Sequence, residues 1–185
     1  MNLSRTRSLA HELLAHELPD RWRHIEGVAA RAGKIAPLFS TFEADLLVSA
    51  SWLHDIGYAP KVHATGFHAL DGANYLRQKG WPKRICSLVA HHSCAYREAE
   101  LRMYSSELAQ WVDERTALRD ALWWADMTTG PDGKPVDVRR RIQEIQERYG
   151  PEDLVTLFVR QAEPELVAAV ERTEARLRDA GVEVR

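Results

Sequence analysis

The 185 residues carry 25 Lys and Arg against 27 Asp and Glu, a formal net charge of -2, with 45% hydrophobic and 28% charged residues. That length fits one sizeable domain with a single core, and that composition excludes a mostly disordered or fibrous chain. The charges are interspersed without a long basic run, which argues against a dedicated nucleic-acid binder.

From Met1 to Leu18, charge and His interrupt the apolar residues, so neither a signal peptide nor a membrane span is expected and the protein reads as soluble and cytoplasmic. Within Leu3 to Leu18, Leu9, Leu13, Leu14 and Leu18 recur at helical spacing and predict an amphipathic helix that Pro19 and Asp20 interrupt. His11 and His16 on it read as surface or half-buried residues. A second helix, from Asp20 as N-cap to Ala36, carries His24, Val28, Ala32 and Ile35 at spacings of four, four and three, so His24 shares the inward face. Gly27 and Ala29 leave room for a close neighbour.

Pro37 ends this helix, and Ser40-Thr41-Phe42-Glu43 is a capping box for a third. Leu46, Leu47, Val48, Ala50, Trp52 and Leu53 predict a buried helix that runs down to His54 and Asp55, with Gly57 as its stop. The loop Tyr58 to Gly66 holds Lys61 and His63 and is short enough to return over that helix end and rim a pocket. Phe67 to Lys79 predicts a helix with His68 in its first turn, broken by Gly80-Trp81-Pro82. On the helix that Pro82 begins, Ile85, Leu88, Val89 and His92 form one stripe, while His91 points to one side. Cys86 and Cys94 have neither the number nor the spacing of a disulfide framework or zinc knuckle and read as reduced thiols.

Ser93 to Arg102, with Arg97, reads as loop or short helix, and Leu108, Trp111 and Val112 suggest another short helix. Thr116 to Met127 predicts a buried helix with Asp126 one turn after Leu122. Trp111, Trp123 and Trp124 read as core aromatics. After the turn-rich loop Thr128 to Val136, the stripe Val138, Ile142, Ile145 and Tyr149 ends at Gly150-Pro151. Leu154 to Gln161 then leads into a last helix with Leu166, Val167, Val170 and Leu177. These contain no His and read as a packing layer or an oligomer surface, such as a homodimer face. No strand-like alternation of useful length appears. The expected fold is all-α, with residues 1–136 as one domain and residues 137–185 as a helical extension packed on it.

Collected by face, the chemistry-bearing residues are His24, His54, Asp55, His68, His92 and Asp126, spread over five helices. A buried carboxylate needs compensation, and a metal ion compensates His and Asp together. A nitrogen-and-oxygen set without Cys suits Fe, Mn, Co, Ni or Zn better than Ca and argues against a structural zinc site. Six ligands exceed what one ion with an open position takes, whereas two ions sharing a carboxylate would use them all, with Asp55 as the natural bridge.

His24, the His54-Asp55 pair and the distal Asp126, on a helical bundle, resemble the motif of the HD-domain metal-dependent phosphohydrolases. Two further His between the pair and the last Asp make the chain similar to the dinuclear variant, which includes bacterial hydrolases of diadenosine tetraphosphate. Phe67 to Ala73 matches a His-x-x-x-Gly-Ala helix start, and Val89 to Ser93 matches the later His followed by a hydroxyl residue. The resemblance covers about Asp20 to Thr128. It implies an HD-domain bundle with additional C-terminal helices, hydrolysing a phosphoester or phosphoanhydride of a small molecule, a nucleotide foremost. It also implies one divalent ion at His24, His54, Asp55 and Asp126 and a second at Asp55, His68 and His92, Fe or Mn foremost, with Co, Ni, Mg or Zn as alternatives. Such a pair lowers the pKa of a shared water and neutralises phosphoryl charge. The catalytic candidates are then Asp55 and His91, the latter as auxiliary ligand or proton donor, and the phosphate-binding candidates are Lys61, Lys83 and Arg97. Two other functions share this ligand set: a dinuclear-iron oxygenase and a non-catalytic metal-binding sensor or scaffold.

Overall fold

The computed structural model describes residues 2–183, and the fold is all-α: among these residues the only β contact is an isolated bridge between Thr129 and Pro135. Its axis is α3 (Thr41–Leu53), with Leu46, Leu47, Ala50 and Leu53 buried. The two serines on this helix, Ser49 and Ser51, are buried as well, and Ser51 Oγ satisfies itself by donating to the Leu47 carbonyl at 2.9 Å. Around α3 pack α1 (Leu3–Leu14), α2 (Pro19–Ile35), α5 (Lys83–Ala90) and α8 (Ala117–Met127), while α4 (His68–Gln78) lies against α5. One continuous apolar core runs from Ala10 to Leu177 and includes Trp111, Trp123 and Trp124. No helix among the described residues is long and apolar enough to cross a membrane.

Several helix ends differ from the expectation, each for a local reason. Ser40 caps α3, accepting from the Glu43 N–H at 3.4 Å and donating to its carboxylate at 3.0 Å. α2 instead starts at Pro19, whose fixed φ suits the first helical position, and Asp20 sits in the first turn where its charge meets the positive end of the dipole. Gly57 is not a left-handed stop. α3 ends at Leu53 and the chain tightens into a 3-10 turn, Ile56–Tyr58, that contains it. A Cβ on Gly57 would stand 1.9 Å from the His68 carbonyl oxygen, and one on Gly27 would stand 2.3 Å from that of Gly133. Both glycines are therefore required by the approach of another backbone.

α5 closes at Ala90, so His92 stands on a 3-10 turn, His92–Cys94, rather than on the helix. Ser93 and Cys94 there have φ of 44° and 61°, a left-handed conformation that costs an L-residue about 1 kcal/mol or more. After α6 (Ala95–Arg102), α7 (Ser105–Leu108) is a single turn, and Val112 is exposed.

α9 (Val138–Tyr149) leads to α10 (Leu154–Asp179), one continuous helix through Pro164 that lies along both α8 and α9. Buried Asp120 of α8 holds it there, accepting hydrogen bonds from Arg172 at 2.8 and 2.9 Å, with Arg176 at 3.4 Å. Glu165 ties α10 to α6 by accepting from Arg97 at 2.9 and 3.0 Å and from the Tyr96 hydroxyl.

Candidate metal centre

The fold brings six side chains to one place. His24 comes from α2, His54 and Asp55 from the end of α3, His68 from the first position of α4, His92 from the turn after α5, and Asp126 from the last turn of α8. They form two adjoining groups, His24 with His54 and Asp126, and Asp55 with His68 and His92, and within each group the ligand atoms lie within 4.8 Å of one another. His24 Nε2 is 3.0 Å and His54 Nε2 3.8 Å from Asp126 Oδ1. Asp55 stands between the groups: Oδ2 is 3.4 Å from His54 Nε2, while Oδ1 is 3.6 Å from His68 Nε2 and 3.7 Å from His92 Nε2.

Backbone carbonyls fix three of the four rings. His24 Nδ1 donates to the Gly130 carbonyl at 3.0 Å, His54 Nδ1 to Ser51 at 2.8 Å and His92 Nδ1 to Val89 at 2.7 Å. A carbonyl only accepts, so each ring carries hydrogen on Nδ1, and in the neutral imidazole the Nε2 lone pair faces the cluster. His54 Nε2 is buried there with no hydrogen-bond partner. His68 Nε2 lies 3.1 Å from His92 Nε2, so those two nitrogens must share a proton or a cation. Orphaned lone pairs beside two buried carboxylates fit a divalent ion, which would satisfy every one of them.

The electrostatics agree. Burial pushes the pKa values of His24, His68 and His92 below the usual histidine range. His54 feels the same burial, but the charges of Asp55 and Asp126 outweigh it and lift its pKa to about 9, so these carboxylates call for a cation at His54 Nε2, a proton or a metal ion. Burial would raise both carboxyls, yet His54 and Arg21 hold Asp55 well below the ordinary carboxylate value, and the close approach of His24 Nε2 with the charge of His54 does so for Asp126. Arg21 donates to Asp55 Oδ2 at 2.7 Å and lies over the Tyr58 ring, which stacks on His68 with centroids 4.1 Å apart. The Ser93 hydroxyl donates to Asp126 Oδ2, which gives the left-handed turn at Ser93 a purpose.

A family model for the HD domain matches residues 21–142, well over half of the chain. The chain belongs to the HD domain family. HD domains bind divalent metal ions, and most are metal-dependent hydrolases. No curated protein and no solved structure matches the chain. The match opens at Arg21 and closes within α9, so most of the C-terminal helical layer lies beyond it.

Above the cluster this HD domain has a partly open cavity floored by Asp55, His68, His92 and Asp126. Three arginines line it, Arg21, Arg141 and Arg148, and one wall belongs to α9 and α10, through residues that include Ile145, Phe158 and Leu166. The last third of the chain is thus part of the site and not only the packing layer or oligomer surface expected of it.

The remaining candidates lie elsewhere. His91 is not with the cluster: its Nε2 is 3.0 Å from the Trp111 carbonyl and its own carbonyl accepts from Trp123 Nε1 at 2.8 Å, because α5 ends between it and Ala90 and the two neighbouring rings diverge. Lys61 and Lys83 are exposed and Arg97 is bound to Glu165, and none of the three lines the cavity. The arginines that do line it carry a signal in the sequence. Arg21 precedes His24 by three on one helix face, and Arg141 and Arg148 follow Val138 by three and ten, in register with the inward stripe.

Proposed function

We propose that this HD domain is a metal-dependent phosphohydrolase that cleaves a phosphoester or phosphoanhydride bond of a small molecule. The observation that carries this reading is the pair of His/Asp groups joined at Asp55, directly beneath a cavity lined by three guanidinium groups. His24, His54, Asp55 and Asp126 would hold one ion and Asp55, His68 and His92 a second, with Fe or Mn best suited to the donor set. When bound, such ions supply Lewis acidity, activating water and neutralising charge that develops on phosphoryl oxygens.

The chain's own groups do the rest. Arg141 and Arg148 bind phosphoryl oxygens, and both are held by Glu144 between them: Arg141 donates to its carboxylate, and Arg148 Nε lies 3.6 Å from Oε1. Arg141 lines the cavity, with its Nε buried and without a partner. Arg21 and Ser93 orient Asp55 and Asp126. With His91 turned away, the group suited to give the leaving oxygen its proton is Glu98, which lines the cavity and whose carboxyl burial pushes above its usual range despite Arg102 at 2.6 Å.

The test is metal content per chain after purification without chelator, followed by phosphate release with Mn, Fe, Co or Mg added back. About two ions per chain, lost in Asp55→Ala, with phosphate released from at least one substrate, is the expected result. Two tightly held irons without phosphate release would redirect the reading to an oxygenase. No metal under any loading would overturn it.

A further inference from the structure

Two kinds of residue line the cavity besides the His/Asp cluster. The charged ones are the three arginines and Glu98. The apolar ones are Met127 of α8, Ile145 of α9 and, most of them, Val155, Phe158, Val159 and Leu166 of α10. Among the described residues lining the cavity there is no Asn, Gln or Thr. Of its three hydroxyl groups, Ser93 is committed to Asp126 and Tyr58 lies under Arg21, which leaves Tyr149. Backbone on the apolar side offers little more, because Val155 N–H already donates to Asp153 at 2.7 Å and the other wall residues lie within helices.

A sugar or a base edge placed against this wall would lose its hydrogen bonds to water and find few replacements, a loss that discriminates strongly against polar groups. An aromatic or branched alkyl group would lose nothing and would cover apolar surface. We infer that the substrate is a phosphate ester whose organic part is apolar, its phosphoryl end at the arginines and the His/Asp cluster and its body against Phe158 and the neighbouring α10 side chains. This rests on the phosphohydrolase reading for the reacting end and deepens it for the other. The bond broken is the P–O bond of the ester: water supplies the oxygen that stays on phosphorus, and the released alcohol or phenol takes a proton.

The test uses the full chain and two readouts. The first is the ratio of kcat/KM for naphthyl phosphate to that for glycerol phosphate and for AMP, with Mn or Fe present. The second is calorimetric binding of naphthylmethylphosphonate, which is not hydrolysed. We expect a preference of about tenfold or more for naphthyl phosphate, a ratio that collapses in Phe158→Asn and largely survives in Phe158→Leu, with thermal melts showing that both variants fold. Equal turnover of the polar phosphates would overturn the inference and leave the hydrolase intact. Phosphonate binding that weakens in Phe158→Asn, without phosphate release from any ester, would keep the apolar occupant and sink the hydrolase. Neither binding nor turnover would sink both.

Discussion

Asp120 and Asp126 are both buried carboxylates of α8, less than two turns apart, and they are neutralised in opposite ways. Asp120 is surrounded by guanidinium groups, which have donors and no lone pair to offer: Arg172 and Arg176 from α10 and Arg119 at 3.6 Å. Its charge is fully answered by the chain itself, and the result is a tie between two helices. Asp126 has imidazoles instead, each ring nitrogen either a donor or a lone pair according to its tautomer. The first arrangement is closed and the second is open to an ion. A buried acid is therefore informative through the kind of cation it lacks, more than through its burial.

The largest expected effect breaks the open member of the pair. Asp126→Asn is expected to reduce bound metal and to lower phosphate release by about 10²-fold or more, with Tm kept within about 3 °C because the isosteric amide keeps an oxygen that accepts from Ser93. Metal analysis beside a thermal melt reads both. Asp120→Asn reverses the pattern: a loss of about 1–2 kcal/mol, discounted because Arg172 and Arg176 are partly exposed, and a Tm lower by about 2–8 °C. The pH dependence of that loss has a definite sign. Burial raises the Asp120 carboxyl, but the hydrogen bond and charge of Arg172 outweigh it and leave the folded pKa below its ordinary value. The contribution is therefore complete above about pH 5 and fades as pH falls through the folded pKa, so the wild-type and Asp120→Asn melts should converge below about pH 4. The smallest effects sharpen the contrast between cations that face the cavity and those that do not. Arg148→Gln is expected to raise KM about tenfold with little change in kcat, while Lys61→Ala and Lys83→Ala stay within about twofold in steady-state kinetics.

The residues of the cluster were legible because His24, His68 and Asp126 sit on, or one turn from, apolar stripes that must face the core. His92 was legible for a less direct reason: the 3-10 turn that replaces the end of α5 still carries it inward, while His91 swings toward Trp111. The cations that line the cavity were not read. Lys61, Lys83 and Arg97 are near the ligands in the chain, whereas Arg141 and Arg148 reach the site only because α9 docks beside it. No local pattern states where an amphipathic helix docks. An arginine in register with an apolar stripe is the trace such docking leaves, and Arg141, 3% exposed, is the clearest case. The position of α10 has the same origin, set by Asp120 and Glu165 across long sequence separations.

Gly27 and Gly57 touch neither an ion nor a substrate, yet each lets a foreign backbone come closer than any side chain would allow. Gly57 seats the first turn of α4, and so the height at which His68 enters. Gly27 seats the loop whose Gly130 carbonyl orients the His24 ring. Spacing in this centre is thus stored where no functional atom is found, and its tolerance of inherited variation is correspondingly uneven. An alanine at either position would preserve all six His and Asp side chains of the cluster in the sequence and still displace them, so a homologue bearing the full His/Asp pattern without those two glycines would have to hold its helices apart by some other means.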